Sequence, residues 1–546
     1  MNPGQKVNEF YPEGIEREFV TPEVPLWRLL EGAAKEFSQK TAIYCEGDEI
    51  SYVRLWRHVR SAAAQLRSRG FGHGKRSDRV LLVLPNGPEF VTYFYAANRA
   101  DMIAVAANPA LTREEMVDVI DEVEPRVAYV AEERAIEFES AIDRARVRPP
   151  KVFYVRPGVE YSGRSGDSSL MPKVISPPTP AQTRPLEDVA VLSFTSGTTG
   201  GKRAAMLSNR NLVANALQNN MWFKWTGDDV VIGALPLFHS WGMCCVMNAT
   251  IAAGASMVLF PEINAERVIE AVVANKGTIL YGSGTLFDRL LEAAGESAPE
   301  LFHSLRYVKA GAMLVPRKLN ERWLQAVPKV PMINGYGLTE ASPEVCNNPP
   351  GRVKANTVGI ALPGTEIRLC DALKPEKPTS RGEVGEIQVR GPQVMLGYWD
   401  DPDATRHSFV KGGWLRTGDL GQFDPDGYLK VVDRLKDVIK FRGYNVVPSE
   451  VERVLMTHPS VKEAVVVGIQ NSTDGELPVA YVVLEQGAPM DGNDLPEYVK
   501  PHLSSFKRPR RYHIVHSIPK NAVGKPLRRV LRELPEPGSA RINLPG

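Results

Sequence analysis

The sequence has few of the features that mark secreted, zinc-stabilised or nucleic-acid-binding proteins. Its 546 residues include only five cysteines, whose spacing fits neither a disulfide framework nor a zinc site. Basic and acidic residues number 66 and 64, so a net charge of +2 provides no general attraction for nucleic acid or anionic lipid. We therefore expect reduced thiols, a cytoplasmic location and no nucleic-acid partner.

Long hydrophobic runs of the kind that span a membrane are also missing. The stretch from Met243 to Phe260 has no charge, but Asn248, Thr250 and Gly254 interrupt it. We expect a buried helix and a short strand there, and no integral membrane span. The first ten residues lack an apolar core of signal-peptide length, and the last six carry no peroxisomal or lipidation signal.

Strand-like and helix-like segments alternate through the first 350 residues, which predicts parallel sheets wrapped by helices. Residues 351–433 have short β runs with frequent Gly and Pro, and about 110 residues of mixed character follow. We expect an α/β fold. Its large N-terminal region, 1–433, would hold two doubly wound α/β subdomains (about 1–186 and 187–350) and a small β-barrel-like layer (351–433). A small α+β domain, 434–546, would complete the chain.

The stretch F-T-S-G-T-T-G-G-K-R-A-A-M, Phe194 to Met206, follows an apolar run and predicts a loop after a strand. Hydroxyls, bare backbone and cations in such a loop are typical of polyphosphate binding, although a Gly/Ser/Thr cluster alone would more often be a surface turn. It is not a Walker loop, since no Ser or Thr follows Gly-Lys. The groups are Thr195, Ser196, Gly197, Thr198, Thr199, Gly200, Gly201, Lys202 and Arg203.

Two further motifs precede residue 350. In L-P-L-F-H-S-W-G (235–242), His239 is equally well a core histidine or the wall of an apolar tunnel. In N-G-Y-G-L-T-E (334–340), Tyr336 can stack on a base and Glu340 can bind Mg²⁺. The alternative for this string alone is a glycine-rich turn with a solvated Glu.

Four motifs lie in the last third of the chain: T-G-D (417–419), D-R-L-K-D (433–437), K-F-R-G-Y-N-V (440–446) and P-K-N-A-V-G-K (519–525). A carboxylate after a glycine turn, Asp419, suits the hydroxyls of a ribose. The charges of D-R-L-K-D are more typical of a solvated linker. A glycine turn projects Lys525.

In order and spacing, the seven motifs resemble those of the adenylate-forming enzymes: acyl-CoA synthetases, luciferases and peptide-synthetase adenylation domains. The resemblance covers roughly residues 20 to 530. The string N-P-A-L-T (108–112) is similar to one in fatty-acyl and aryl-CoA ligases.

The resemblance implies ATP, Mg²⁺ and coenzyme A as ligands. Thr195 to Gly200 would hold the ATP phosphates, with Arg203 supplying charge, and Thr195 with Glu340 would position Mg²⁺. Lys525 would serve adenylation, and Arg442, Gly443 and Tyr444 would serve the thiol step after the mobile C-terminal domain rotates about Lys436. His239 would lie between the acyl pocket and the thiol tunnel. The remaining nucleotide-binding residues would be Gly311, Ala312, Asn334, Gly335, Tyr336, Gly337, Thr339, Asp419 and Arg434.

The chain departs from the family pattern at two places. Lys202-Arg203-Ala204 stands where relatives usually have Pro-Lys-Gly, and residues 309–313, K-A-G-A-M, replace S-G-G-A-P. The resemblance implies that the second turn borders both the adenine and the acyl group, so the family's acyl preference does not carry over directly to this chain. The expected pocket residues are Phe238, Trp241, Cys245, Tyr281, Gly311 and Tyr336.

We expect activation of a small-molecule carboxylic acid, a medium- or long-chain fatty acid, to acyl-AMP and then to acyl-CoA. The alternatives are an aryl (coumarate-like) CoA ligase, a ligase that loads a carrier protein, and an inactive acyl- or nucleotide-binding homologue. The sequence leaves oligomerisation open.

Overall fold

The structure, a computed structural model, describes residues 11–72, 78–156, 188–195, 203–311, 315, 317–380, 382–442, 444–471, 474–488 and 494–534. The chain divides into two compact units, Met1–Glu366 with Val389–Phe409, and Ile367–Gln388 with Val410–Gly546. Most of the β layer expected at 351–433 therefore groups with the C-terminal residues. A domain boundary at residue 433 stays a prediction.

The described strands and helices follow in chain order. The strands are β1 (Thr41–Cys45), β2 (Asp48–Ser51), β3 (Arg79–Val83), β4 (Ile103–Ala106), β5 (Val127–Ala131), β6 (Lys151–Val155), β7 (Val189–Phe194), β8 (Ala204–Ser208), β9 (Val230–Gly233), β10 (Ser256–Leu259), β11 (Ile279–Ser283), β12 (Tyr307–Gly311), β13 (Met332–Gly337), β14 (Glu344–Asn347), β15 (Ile360–Ala361), β16 (Glu366–Cys370), β17 (Gly385–Arg390), β18 (Gly397–Tyr398), β19 (Phe409–Val410), β20 (Trp414–Phe423), β21 (Leu429–Arg434), β22 (Ile439–Phe441), β23 (Tyr444–Val446), β24 (Val461–Asn471), β25 (Gly475–Leu484) and β26 (Arg511–Ile514). The α-helices are α1 (Trp27–Glu36), α2 (Tyr52–Ser68), α3 (Pro88–Arg99), α4 (Arg113–Val123), α5 (Ala135–Ile142), α6 (Asn209–Phe223), α7 (Ala249–Ala253), α8 (Ala265–Ala274), α9 (Gly284–Ala294), α10 (Ala298–Leu301), α11 (Arg317–Ala326), α12 (Pro402–Ser408), α13 (Pro448–Leu455), α14 (Leu495–Val499) and α15 (Arg528–Glu533).

The first unit contains two sheets. One has seven strands in the order β18-β8-β7-β4-β3-β5-β6, and the other has nine in the order β15-β14-β13-β12-β11-β9-β10-β1-β2. Their central strands pair in parallel, and every residue of β3 is buried. Continuous apolar strands of this kind are typical of parallel sheets covered on both faces. The predicted α/β class is confirmed.

The two sheets do not divide at residue 186. Strands β7 and β8 complete the first sheet, and the early hairpin β1–β2 extends the second sheet beside β10. This exchange follows from pairing between segments distant in sequence, which local patterns do not reveal. The stretch rich in Gly, Ser and Pro near 157–185, whose composition is typical of a surface connection, lies outside the described residues.

The string T-R-E-E at 112–115 has the capping-box pattern of a helix start, and Thr112 and Glu115 form that reciprocal capping box at the start of α4. The uncharged stretch after Met243 is buried, as a π-helical segment (Gly242–Asn248), α7 and β10. Over the described ranges, the structure contains no helix with the length and apolarity needed to cross a membrane.

The second unit contains two smaller sheets. One has the order β16-β17-β20-β19, with β21 paired to β20, and the other has the order β23-β22-β25-β24, with β26 paired to β25. Helix α13 packs on the latter sheet and buries Val451 and Leu455 in a core with strand residues such as Val466. This mixture of antiparallel strands and helices agrees with the predicted α+β character.

Candidate active site

The loop after β7 joins two antiparallel strands. β7 pairs with β8, and the N–H of Thr195 donates to the carbonyl of Arg203 at 2.8 Å. The predicted strand before the loop is therefore confirmed. Five residues predicted to bind phosphate lie outside the described part of the chain: Ser196, Gly197, Thr198, Thr199 and Gly200.

Arg203 lies in a polar cluster that reaches Glu340. Its Nε atom is 3.1 Å from Asp401 Oδ2, and its guanidinium lies 5.6 Å from the ring centre of Tyr398. The Tyr398 hydroxyl donates to Glu340 Oε1 at 2.8 Å. Burial, and then the Glu340 charge, raise the pKa of this phenol, so it remains a donor. Pairing of β18 with β8 places Tyr398 opposite Ala205, two residues after Arg203.

The motif at 235–242 contacts the motif at 334–340. Ser240 Oγ and Thr339 Oγ1 lie 3.2 Å apart. His239 Nδ1 accepts from the N–H of Trp241 at 3.2 Å, which assigns the proton of a neutral ring to Nε2. The side chain of His239 is only half-buried, so it is not a fully enclosed core histidine.

The glycines of N-G-Y-G are required by close packing against β14. A Cβ at Gly335 would lie 1.9 Å from Asn347 Oδ1, and a Cβ at Gly337 would lie 2.2 Å from the carbonyl oxygen of Pro343. Tyr336, between them, is half-buried. The Oδ1 atom of Asn334 is buried and has no hydrogen-bond partner among the described residues, so it can accept from a ligand.

Three of the expected acyl-pocket residues, Trp241, Tyr281 and Gly311, lie together at β11 and β12. The Trp241 ring contacts Tyr281 edge-on at 5.9 Å, and a Cβ at Gly311 would lie 2.7 Å from Trp241 Cη2. Cys245 is fully buried, and burial raises the pKa of its thiol well above the usual value. Phe238 is half-buried. Ala312 lies outside the described residues.

Sequence reasoning missed a buried ion pair beside Tyr281. Lys309 Nζ donates to Glu344 Oε1, and the two side chains are 2% and 6% exposed. The ammonium lies 5.1 Å from the ring centre of Phe223 and 5.8 Å from that of Tyr281. Lys309 is part of the K-A-G-A-M string, whose departure from the family pattern marked this lysine as unusual. Nothing in the sequence marked Glu344 as its partner.

In the second unit, Asp419 and Arg434 face each other across paired strands. They occupy matching positions of β20 and β21, and Arg434 Nε is 3.1 Å from Asp419 Oδ1. Gly418, before the carboxylate, has φ of +70°, a conformation that favours glycine. The two predicted ribose ligands therefore lie side by side.

Lys525 lies near this pair, on a loop that is held in shape by a hydrogen bond to the side chain of Asn521. Asn521 Oδ1 accepts from the backbone N–H of Lys525 at 2.9 Å, and Gly524 has φ of +82°. Burial, and then the positive charge of Arg434, lower the pKa of Lys525 to about 8, although Asp419 opposes this shift. The structure thus collects residues about 90 positions apart into one charged cluster.

The D-R-L-K-D segment is more than a solvated linker. Asp433 is buried and accepts from the N–H of Ser449 at 2.8 Å, at the start of α13. Asp437 is buried and accepts from Arg532 of α15 at 2.7 Å. Lys436 is exposed between them. These bonds attach the segment to both helices, which the charge pattern alone did not indicate.

The segment expected on the coenzyme A path joins β22 and β23. Arg442 has φ of +50° and donates from Nε to Asp474 Oδ1 at 2.7 Å. Tyr444 is 55% exposed and stacks on Phe506 with ring centres 4.5 Å apart. Gly443 lies outside the described residues. The segment thus presents an exposed aromatic and a paired cation.

Comparison with known proteins agrees with this arrangement. A family model described as AMP-binding enzyme matches residues 30–399, and one described as AMP-binding enzyme C-terminal domain matches 450–525. A long-chain-fatty-acid–CoA ligase of Bacillus subtilis (strain 168) is 31% identical, over 96% of this chain and 97% of that protein. 4-Coumarate–CoA ligase 3 of Oryza sativa subsp. japonica is 32% identical, over 89% of this chain and 87% of that protein.

Solved structures show the same relationship. The ATP-bound MatB protein from Rhodopseudomonas palustris is 29% identical and superposes with a TM-score of 0.83, over 93% of this chain and 99% of that one. The matches span nearly the full length of the chain and of its relatives. The chain therefore belongs to the AMP-binding enzyme family and is an AMP-forming acid–CoA ligase.

Proposed function

We propose that the enzyme converts a medium- or long-chain fatty acid to its acyl-AMP and then to its acyl-CoA, with release of pyrophosphate and AMP. The observation that carries this proposal is the position of Lys525 beside the Asp419–Arg434 pair. A cation for the reacting carboxylate and α-phosphate thus lies beside two groups suited to a ribose. Retention of all three argues against an inactive homologue.

The proposed nucleotide ligands come from several of the sequence motifs. Asn334 Oδ1 offers an acceptor for the exocyclic amine of adenine, and Tyr336 offers a ring for stacking. Thr195 to Gly200 would bind the phosphates, with Arg203 nearby. Asp419 would accept from the ribose hydroxyls, and Arg434 would hold that carboxylate in place.

Magnesium fits the residues present as a companion of ATP. Mg²⁺ is usually held by one or two carboxylates together with substrate phosphates. Glu340 supplies one carboxylate, oriented by Tyr398, and Thr195 supplies a hydroxyl. The described residues contain no cluster of three or more His, Cys, Asp or Glu side chains suited to a metal, so the other ligands would come from ATP and water. The bound ion would neutralise phosphate charge.

Lys525 would act where the two anions meet. Attack of a carboxylate on the α-phosphate concentrates negative charge, which a positioned ammonium stabilises. The mixed anhydride that forms is prone to hydrolysis, so closure and domain rotation about Lys436 would protect it. Arg442, Gly443 and Tyr444 would then face the thiol, and His239 would separate the acyl group from the thiol tunnel.

Apolar and aromatic side chains favour a fatty acid as substrate. Trp241, Tyr281 and Cys245 are buried, and Gly311 lies against the Trp241 ring. The second candidate is an aryl acid, because a coumarate ligase is similarly related.

An acid panel tests this proposal. Octanoate, dodecanoate, hexadecanoate, 4-coumarate and benzoate are each supplied with ATP, Mg²⁺ and coenzyme A, and acyl-CoA is quantified by mass spectrometry. We expect the highest kcat/KM with a fatty acid. A higher value for coumarate or benzoate would establish the aryl alternative. Acid-dependent pyrophosphate release that leaves coenzyme A unused would indicate loading of a carrier protein.

A further inference from the structure

We propose that Asp401 is a positioning residue for Arg203, whose guanidinium it holds so that both terminal nitrogens can bind the phosphates of ATP. This inference rests on the proposed function, which places Arg203 near those phosphates. It adds a residue that none of the seven sequence motifs contains. The pairing of β18 with β8 brings together these two residues, which are 198 positions apart in the sequence.

The contact occupies one nitrogen of the guanidinium. Arg203 donates from Nε to Asp401 Oδ2 at 3.1 Å, and within the described ranges its two terminal nitrogens donate no hydrogen bond. A guanidinium has five N–H donors, and it commonly binds a phosphate through two parallel hydrogen bonds. Arg203 can therefore hold Asp401 and a phosphate at the same time. The lysine of the family pattern could not do so with the same fixed geometry, because its ammonium is a single point of charge.

Asp401 is itself fixed at the start of α12. Its Oδ1 atom accepts from the N–H of Ala404 at 2.8 Å, so this oxygen caps the helix while Oδ2 accepts from Arg203. Its backbone carbonyl accepts from Thr405 Oγ1 at 2.9 Å, and that hydroxyl accepts in turn from the N–H of Tyr398. The carboxylate is thus held by α12 and β18, and it can act as a rigid support for the arginine.

Folding stability gives little reason for this ion pair. The side chains of Arg203 and Asp401 are 46% and 36% exposed, and ion pairs so accessible to water contribute little to the free energy of folding. The same exposure leaves the guanidinium accessible to a ligand. The guanidinium also lies 5.6 Å from the ring centre of Tyr398, a cation–π distance that further restricts its orientation. Asp401 and Tyr398 together therefore favour one orientation of the guanidinium.

The substitution Asp401→Asn separates the two roles of the carboxylate. Asparagine caps helices as well as aspartate does, so α12 keeps its cap while the charge that holds Arg203 is removed. The probes are α,β-methylene-ATP, which cannot be cleaved between its α- and β-phosphates, and AMP, each titrated with Mg²⁺ by calorimetry. We expect the dissociation constant of α,β-methylene-ATP to rise by about tenfold, as for two residues in direct contact. That of AMP should stay the same, because AMP lacks the β- and γ-phosphates, whereas a general loss of structure would weaken both.

Asp403→Asn is the matched control, because Asp403 lies in the first turn of the same helix and pairs with Arg406 instead. Both of its dissociation constants should equal those of the wild type. Arg203→Ala should weaken the binding of α,β-methylene-ATP. Adding Asp401→Asn to that variant should cause no further loss, because the residue that Asp401 positions is already gone.

Comparison of Arg203→Ala with Asp401→Asn distinguishes failure of the inference from failure of the proposed function. If Arg203→Ala weakens the binding of α,β-methylene-ATP but Asp401→Asn leaves it unchanged or strengthens it, Asp401 does not position the arginine. An equal loss for AMP, or a further loss in the double variant, would also overturn the inference, because Asp401 would then act through another group. If Arg203→Ala itself has no effect, the proposed placement of the phosphates near Arg203 is wrong, and the inference fails with it.

Discussion

The indole ring of Trp241 lies so close to the Cα atom of Gly311 that a Cβ at this glycine would be 2.7 Å from Trp241 Cη2. The strand position therefore has to lack a side chain for the ring to keep its place. This contact joins the motif at 235–242 to β12.

Opposite changes at this contact should shift acyl preference in opposite directions. Gly311→Ala should push the indole into the pocket and favour shorter acids, whereas Trp241→Ala should remove a large apolar volume and admit bulkier ones. We expect changes of about tenfold in relative kcat/KM, which correspond to roughly 1.4 kcal/mol. Rates with a series of straight-chain acids would measure this.

Leu286→Ala is a suitable control for the pair, because Leu286 is a buried residue of a separate core cluster and should affect stability alone. If Trp241→Ala leaves the chain-length profile as it is in the wild type, the acyl pocket has been placed wrongly.

The adenylation step should lose rate in mildly alkaline solution. Burial lowers the pKa of Lys525 to about 8, and the protonated form is the one that stabilises the meeting anions. kcat/KM for acyl-AMP formation should therefore fall as pH rises through about 8. In the ATP complex, the negative phosphates should raise the pKa of Lys525, so kcat should fall only at higher pH. Lys525→Arg should keep its charge and flatten the profile, at reduced activity. If the rate of Lys525→Arg falls at alkaline pH in the same way as that of the wild type, the group that titrates is not Lys525.

Substitutions of Lys525 and Gly443 should impair different half-reactions. Lys525→Ala should slow acyl-AMP formation by about 10²–10³ and still convert supplied acyl-AMP and coenzyme A to thioester. Gly443→Leu should show the reverse defect, since a side chain there would obstruct the thiol without touching ATP. Single-turnover assays of each step would check this. If both variants lost the same rate in both half-reactions, the proposal that domain rotation brings different residues to the two steps would be contradicted.

Tyr398→Phe should weaken the binding of Mg²⁺ by Glu340. The substitution removes one hydroxyl that orients the carboxylate, and partners of this kind typically contribute about 10–100-fold to metal affinity. We expect the Mg²⁺ concentration for half-maximal rate to rise by about tenfold. Tyr154→Phe serves as the matched control, because it removes a Tyr–Glu hydrogen bond of the same length, to Glu139 at 2.8 Å, on the edge strand β6. An unchanged Mg²⁺ requirement would mean that Glu340 does not serve the metal.

The sequence predicted the fold class and the motif positions because these depend on local pattern. Apolar runs marked β3 and β7, and the capping box marked the start of α4. The membership of strands in sheets was beyond such reasoning, because β1 pairs with β10 across more than 200 residues. Pairing at that separation depends on tertiary packing, which no local signal encodes.

Individual residues of the candidate site could be predicted where they lie within a sequence motif. Asp419 and Arg434 were identified separately, and the register of β20 and β21 brings them together. Tyr398 was missed because its link to Glu340 comes from the pairing of β18 with β8. Gly335 was predicted as a nucleotide-binding residue, and its contact with Asn347, which excludes a side chain there, could not be predicted because it depends on the pairing of β13 with β14.

The most direct test of the account is to follow the acyl-adenylate itself. The enzyme is mixed in a single turnover with radiolabelled ATP, Mg²⁺ and octanoate, without coenzyme A, and coenzyme A is then added. The account predicts that label accumulates as enzyme-bound octanoyl-AMP and then passes to free AMP as octanoyl-CoA appears. Absence of octanoyl-AMP in the first phase, or octanoyl-AMP that coenzyme A does not consume, would contradict it.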